Sequence, residues 1–256
     1  YLLPQEWMAA EDRAYPVVLD PVVNAELSFT NIADQTVFSK TQLSYTWAML
    51  CIGQGQYGIG RSFLKYKNLP TLTSADVIVG AKMALYKIQT SSTSSEIDVH
   101  KVNGTWESNT INWSNKPSYD STVEDYQIAG AKGWYYWDVT DIAQEWYTGD
   151  NTGMMFKMED SQEAAATDLY REFCSSDYTA NTLPFLSIAY INNCGLENIW
   201  DYTSHGAGAA GTGYVNDYTG NLLWVYSGLG FSGNRLPVSI NHVYNANDKA
   251  NNDFGM

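Results

Sequence analysis

Trp134-Tyr135-Tyr136-Trp137-Asp138-Val139 runs into Thr140-Asp141-Ile142-Ala143-Gln144-Glu145-Trp146-Tyr147, and after Gly149-Asp150-Asn151 the chain continues as Met154-Met155-Phe156-Lys157-Met158. The first run is aromatic and β-branched, as strands are. In the second, Ile142 with Trp146 and Ala143 with Tyr147 recur four residues apart, which predicts a short helix over Thr140–Tyr147. Thr140 is placed to cap that helix through its hydroxyl, and Asp141 suits its positive end. Gly149-Asp150-Asn151 supplies the stop before the next strand. A helix of two turns is not stable alone. Trp146 is therefore expected to plug the end of a larger apolar body.

The surrounding sequence says what that body is. Arg61-Ser62-Phe63-Leu64-Lys65-Tyr66 has period-two character, and Val79, Ala81, Met83 and Leu85 alternate onto one side. Ile97 and Val99 repeat the pattern. Leu169–Cys174 and Pro184–Tyr190 read as two more strands, with turn signals such as Asn103-Gly104 between such segments. Strands at this spacing predict an all-β fold, an antiparallel jelly-roll β-sandwich with one short helix. Three segments are expected: a lead-in with a proline-bracketed edge strand over 1–21, the jelly roll over 22–192, and a β-hairpin-rich extension over 193–256. In the extension, the glycine-rich Gly206–Gly213 reads as a loose joint, and Tyr214 to Tyr226 as a hairpin turning at Thr219-Gly220-Asn221.

Composition limits the partners. The net charge is −14, and tyrosines (19) outnumber lysines and arginines together (14), with no basic cluster. This argues against nucleic acid, anionic membranes and polyanionic ligands as partners, since each would have to be met by a locally basic patch. Cys51, Cys174 and Cys194 are odd in number and widely spaced, which argues against a disulfide framework or a zinc site. No apolar run approaches the ~18 residues of a membrane span. Tyr1 is no initiator, so the chain is read as part of a longer protein.

Several pieces taken in order carry a resemblance: Arg61–Tyr66, Trp106-Glu107 with Ile111-Asn112-Trp113-Ser114-Asn115-Lys116-Pro117, Trp137-Asp138-Val139-Thr140-Asp141, Gly153-Met154, Arg171-Glu172 and Leu183-Pro184-Phe185-Leu186. Together, over about residues 22–190, they resemble the DNRLRE domain, a bacterial extracellular jelly roll related to carbohydrate-binding modules. Ala209–Leu222 and Asn234–Tyr244 look like the segment that leads into Rhs/YD repeats in wall-associated surface proteins of Gram-positive bacteria. The resemblance implies an extracellular or cell-surface location and a downstream Rhs-repeat segment of the same protein as a partner.

Candidate sites follow. Trp106 and Trp113 have two readings, a stacking platform for the apolar face of a pyranose or large aromatics of the core. Tyr119, Tyr126 and Tyr135 lie near polar loops and are comparable candidates for glycan contact. Arg61 and Arg171 are expected to pair internally, Arg61 with Asp138 or Glu172, because a buried cation is costly alone. Asp34, Asp98, Glu159, Asp160 and Asp168 could offer oxygens to a structural calcium, although their spacing matches no EF-hand loop and a solvated acidic surface is the simpler reading. No other cofactor is expected. Catalysis has little support: Asp201, Ser204 and His205 are close in sequence but sit in no nucleophile-elbow context. Two readings of function result, a non-catalytic glycan-binding module or a structural cap or stalk of an Rhs-type repeat shell. An exposed aromatic row or a groove on one sheet face would separate them.

Overall fold

This computed structural model describes residues 22–25, 30–41, 48–72, 76–165, 170–178, 182–192, 196, 200–232 and 237–246. The lead-in over 1–21 lies outside the described residues. The chain divides into two compact units, one of Val22–Thr73 with Val77–Ile191 and another built mainly from Asn192–Met256.

The first unit is the antiparallel sandwich that the strand pattern predicts. Its strands are β1 (Val22–Asn24), β2 (Ile32–Phe38), β3 (Met49–Gly55), β4 (Gly58–Tyr66), β5 (Asp76–Lys87), β6 (Ser95–Lys101), β7 (Asp125–Ala129), β8 (Gly133–Asp138), β9 (Met154–Met158), β10 (Arg171–Cys174) and β11 (Phe185–Asn192). Hydrogen bonds run along β1-β11-β5-β10-β3-β4-β9-β6-β7, with β8 added to β5 and β2 to β4. The turn from one layer to the next occurs inside β3. Its residues up to Ile52 pair with β10, and from Gly53 onward they pair with β4. Gly53 has φ of +105°, a backbone state open to glycine, and this lets one strand leave one layer and enter the other.

Between the layers lies the main core. Met83 and Leu85 of β5, Trp137 of β8 and Phe173 of β10 face Leu64 of β4, Ile97 and Val99 of β6 and Phe156 of β9. Trp137 is wholly buried, edge-on to Phe156 (ring centroids 5.1 Å apart) and Phe173 (5.9 Å). A smaller cluster covers the outer side of the second layer, where Phe63 and Met155 meet Val102, Trp106 and Ile111 from the irregular segment after β6.

The predicted helix is α1 (Thr140–Thr148), with Ile142, Ala143 and Trp146 buried as the stripe requires. Its capping differs from the expectation at Thr140. That residue is already helical, and its hydroxyl instead accepts from Ala81 N (2.9 Å) and donates to Asp138 Oδ1 (2.5 Å). The first-turn amides of Asp141 and Ile142, which have no partner within the helix, donate to Glu124 Oε1 (3.1 and 3.4 Å), a cap supplied by the residue just before β7. A second helix was not foreseen: the single turn α2 (Asp160–Ala164), whose N-cap Glu159 accepts from Ser161 N and Gln162 N.

In the second unit, β12 (Tyr202–Gly206), β13 (Thr212–Asn216), β14 (Leu222–Ser232) and β15 (Pro237–Asn245) form one antiparallel sheet in chain order. The glycine-rich stretch read as a loose joint is instead a hairpin, closed by Ala207 N donating to Gly211 O (2.8 Å). The turn at Thr219-Gly220-Asn221 joins β13 to β14 as expected, fastened by Asn216 Oδ1 accepting from the amides of Tyr218 and Thr219.

Candidate functional site

Side chains alternate along a strand, so Trp137 facing the core places Tyr135 on the same side and turns Trp134 and Tyr136 to the other. The outer face of β8 therefore carries two aromatics. Trp134 is directly across from Tyr86 of β5, and Tyr136 from Ala84. Phe185, at the start of β11, completes the group. Its ring lies 5.2 Å from that of Trp134 and 6.1 Å from that of Tyr136, and Trp134 lies 5.2 Å from Tyr86. All three contacts are edge-to-face. Tyr136 is 46 % exposed, and Trp134, Tyr86 and Phe185 are partly exposed. Ala84, on the same face, is wholly covered. At the far end of the group Lys82 is across from Asp138.

The aromatics singled out from sequence lie elsewhere. Trp106 is only 5 % exposed, edge-on to Phe63 at 5.7 Å, with its Nε1 donating to Thr152 O (2.9 Å). Its reading as a stacking platform is corrected by that burial. Trp113 is half-buried, with the Arg61 guanidinium 5.3 Å and the Lys116 ammonium 4.0 Å from its ring. Tyr119 is half-buried too, its hydroxyl accepting from Arg61 Nη1 (3.4 Å) and its ring edge-on to His100. Tyr135 faces inward, its hydroxyl tied to the turn before β8 by Gly130 N and Ala131 O. Tyr126, 52 % exposed, lies on β7 and shares its open face with Ile128, 54 % exposed. The structure thus gathers Trp113 and Tyr119 around Arg61, and places the exposed aromatic group on residues sequence reading passed over. The signal was in the alternation of Trp134-Tyr135-Tyr136-Trp137.

The sequence model of carbohydrate-binding module family 96 matches residues 28–190, well over half of the chain. The chain belongs to carbohydrate-binding module family 96. No curated protein matches it. The match spans the strands that carry Tyr86, Trp134, Tyr136 and Phe185, so the exposed aromatic face lies inside the family-96 module.

Arg61, Asp138 and Arg171, charged residues singled out from sequence, are engaged within the module. Arg61 pairs with Glu163, not with Asp138 or Glu172: its Nε and Nη2 donate to the two carboxylate oxygens at 3.0 and 2.6 Å. The physical reason is facing. Arg61 shares the outer side of the second layer with α2, whereas Asp138 and Glu172 belong to the first layer. Asp138 instead accepts from Thr140. Arg171 donates to Thr93 O and Oγ1 (both 3.1 Å), and buried Lys87 donates to Gln89 O and to Ser91 Oγ (2.8 Å). These two cations fasten the loop after β5, beside a polar cleft of about 520 Å³ that Gln56, Tyr170 and Glu172 also line.

The acidic candidates are similarly dispersed. Asp34 accepts from Ser176 N (2.7 Å) and Oγ (2.9 Å), and burial raises its carboxyl to about 6 against those hydrogen bonds. Asp98 is buried 4.0 Å from Lys157 Nζ, and burial, opposed by that ammonium, raises it to about 6. Asp160 is exposed and bound to the same ammonium at 2.7 Å, while Glu159 caps α2. Asp168 lies outside the described residues. Among the described residues no three His, Cys, Asp or Glu side chains converge where an ion could be held. Ser204 and His205, neighbours on β12, point to opposite faces of their strand. No described helix is long and apolar enough to cross a membrane.

Proposed function

We propose that this chain is a non-catalytic module of an extracellular bacterial surface protein and holds cell-wall or environmental glycan against the outer face of β5, β8 and β11. The observation that carries the reading is the outward turn of Trp134 and Tyr136 beside Phe185 and Tyr86. A pyranose ring presents an apolar face of C–H groups, and aromatic rings open to solvent are the side chains that stack on it. Monomers seldom expose such a group without a use for it. Screening the whole chain on a glycan array and on polysaccharide particles tests the proposal. Binding that falls at least tenfold in Trp134→Ala or Tyr136→Ala supports it.

A second reading, a structural cap on an Rhs-type repeat shell, draws on the second unit. There Val215, Leu222, Tyr226 and Tyr244 are exposed, and Val215–Leu222 and Trp224–Tyr244 are cross-strand pairs on one face of the sheet. An apolar sheet face of this kind calls for a cover. Absence of binding to every glycan, with the Trp134→Ala variant indistinguishable from the parent, would select it.

A further inference from the structure

We infer that the second unit carries a binding site of its own for an uncharged polysaccharide, with the indole of Trp224 as its floor. The site lies outside residues 28–190 and stands whether or not the aromatic face of β8 binds glycan. Directly paired residues of antiparallel strands share a face, and the register sets His205 of β12, Gly213 of β13, Trp224 of β14 and Tyr244 of β15 in one row across the sheet. Tyr226 and His242, a cross-strand pair with rings 5.9 Å apart, lie beside that row, two residues further along β14. On the opposite face the paired Leu223 and Asn245 are buried. On the face of the row His205, Tyr226, His242 and Tyr244 are exposed and Trp224 is partly exposed.

Trp224 does not stand up from the sheet. Its six-membered ring lies over Gly213 and its Nε1 over Gly211, since a side chain at either glycine would meet those indole atoms at 3.0 Å, and Nε1 donates to Ala210 O (2.9 Å). Gly213 is buried beneath it. The indole is thus laid on the backbone of β13, held in that orientation by a hydrogen bond, with its other face toward solvent. Packed sheets interdigitate side chains that stand up into a gap of about 10 Å, and a ring lying down contributes no such knob. It offers instead a fixed aromatic face, on which the C–H face of a pyranose stacks at little cost in side-chain freedom. Charge defines the ligand further. The chain carries −14, yet none of the four strands contains Asp, Glu, Lys or Arg. These strands hold no ionic partner for a charged sugar, whereas the imidazoles of His205 and His242 and the hydroxyls of Tyr226 and Tyr244 can donate to and accept from sugar hydroxyls. The row spans three inter-strand spacings, about 14 Å, which is longer than one pyranose ring and suits a chain of them.

The test runs the whole chain in native gels cast with neutral polysaccharides, in turn mixed-linkage β-glucan, glucomannan, galactomannan and arabinoxylan. The expected result is retardation by at least one of them. Its apparent affinity should fall at least fivefold in Trp224→Ala and in Tyr244→Ala, and should be kept when Trp134→Ala and Tyr136→Ala are combined. Tyr244 is exposed, and an unchanged melting temperature of its variant separates lost binding from lost folding. Retardation lost only in the combined Trp134 and Tyr136 variant assigns the polysaccharide to the module, overturning this inference while the proposed function stands. Retardation indifferent to every substitution overturns the inference by removing its site. Retardation of the parent by none of the four overturns it as well, and glycan-array binding that depends on Trp134 separates that outcome from failure of the proposed function. A parent that sediments as a dimer and dissociates in Trp224→Ala overturns it by making the face a contact between copies.

Discussion

The indole N–H of Trp137, on the first layer, donates a 2.9 Å hydrogen bond to the carbonyl of Ile97, on the second. Together with the bond from the buried Tyr66 hydroxyl of β4 to Pro184 O beside β11 (2.8 Å), it adds a directed link to the apolar contact between the layers, and it fixes how β8 sits over β6. Trp146, also buried, has no partner for its indole N–H among the described residues. The two tryptophans should therefore respond differently to the same change.

Trp137→Phe removes both volume and a satisfied donor, leaving a carbonyl without its partner, and should destabilise the fold by about 2–4 kcal/mol. Trp146→Phe removes volume and a donor that was never satisfied, and should cost about 1–2 kcal/mol. Trp146→Ala, which empties the site, should cost about 3–5 kcal/mol. Urea unfolding of the three variants checks the ranking, and equal losses for the two Phe variants would contradict the assigned role of the Trp137 bond.

Arg61 and Glu163 form a two-pronged ion pair, and Glu163 is 5 % exposed. Removing one partner strands a buried charge, so Glu163→Ala should destabilise by about 3 kcal/mol. Arg61→Lys keeps the charge but loses the fork geometry and should cost about 1–2 kcal/mol. A double-mutant cycle with Arg61→Ala should show strong coupling, and additive losses would mean that the pair contributes little.

Asp34 and Asp98 both have carboxyls raised by burial to about 6. A raised acid holds its proton more firmly when folded than when unfolded. Its contribution to stability is therefore full below the unfolded value near 4, falls as pH rises from about 4 to 6, and is flat above. Asn cannot ionise. Asp34→Asn and Asp98→Asn should each gain relative to the parent, by up to ~3 kcal/mol, between pH 4 and pH 7. Unfolding midpoints at several pH values check the sign, and a difference that does not change with pH would refute it.

Gly153 has φ of +80°, and a side chain there would meet Leu64 O at 2.7 Å and Lys65 Cβ at 2.8 Å. Gly153→Ala should therefore cost about 1–3 kcal/mol through the strained backbone alone, with more from the clash. Thermal melting gives the measurement. The substitution should leave the aromatic face of β8 intact, so glycan binding below the melting range should be unchanged.

The amino-acid sequence alone determined the fold class, most strands and the helix at Thr140, because these depend on neighbours a few residues apart. Alternation in Val79 to Leu85 marks a strand buried on one side, and the four-residue spacing of Ile142 and Trp146 marks a helical stripe. The resemblance drawn from Arg61, Trp106, Trp137 and Arg171 led to a carbohydrate-binding family because their order along the chain is itself sequence information. Tertiary structure decided everything that depends on which surfaces meet. Arg61 takes Glu163, 102 residues away, because β4 and α2 share one side of a sheet, and no local spacing encodes that. Trp106 and Trp134 look alike in sequence. One is covered because the segment after β6 folds over Phe63, and the other stays partly open because the rings beside it among the described residues are Tyr86 of β5 and Phe185 of β11, which meet it edge-on.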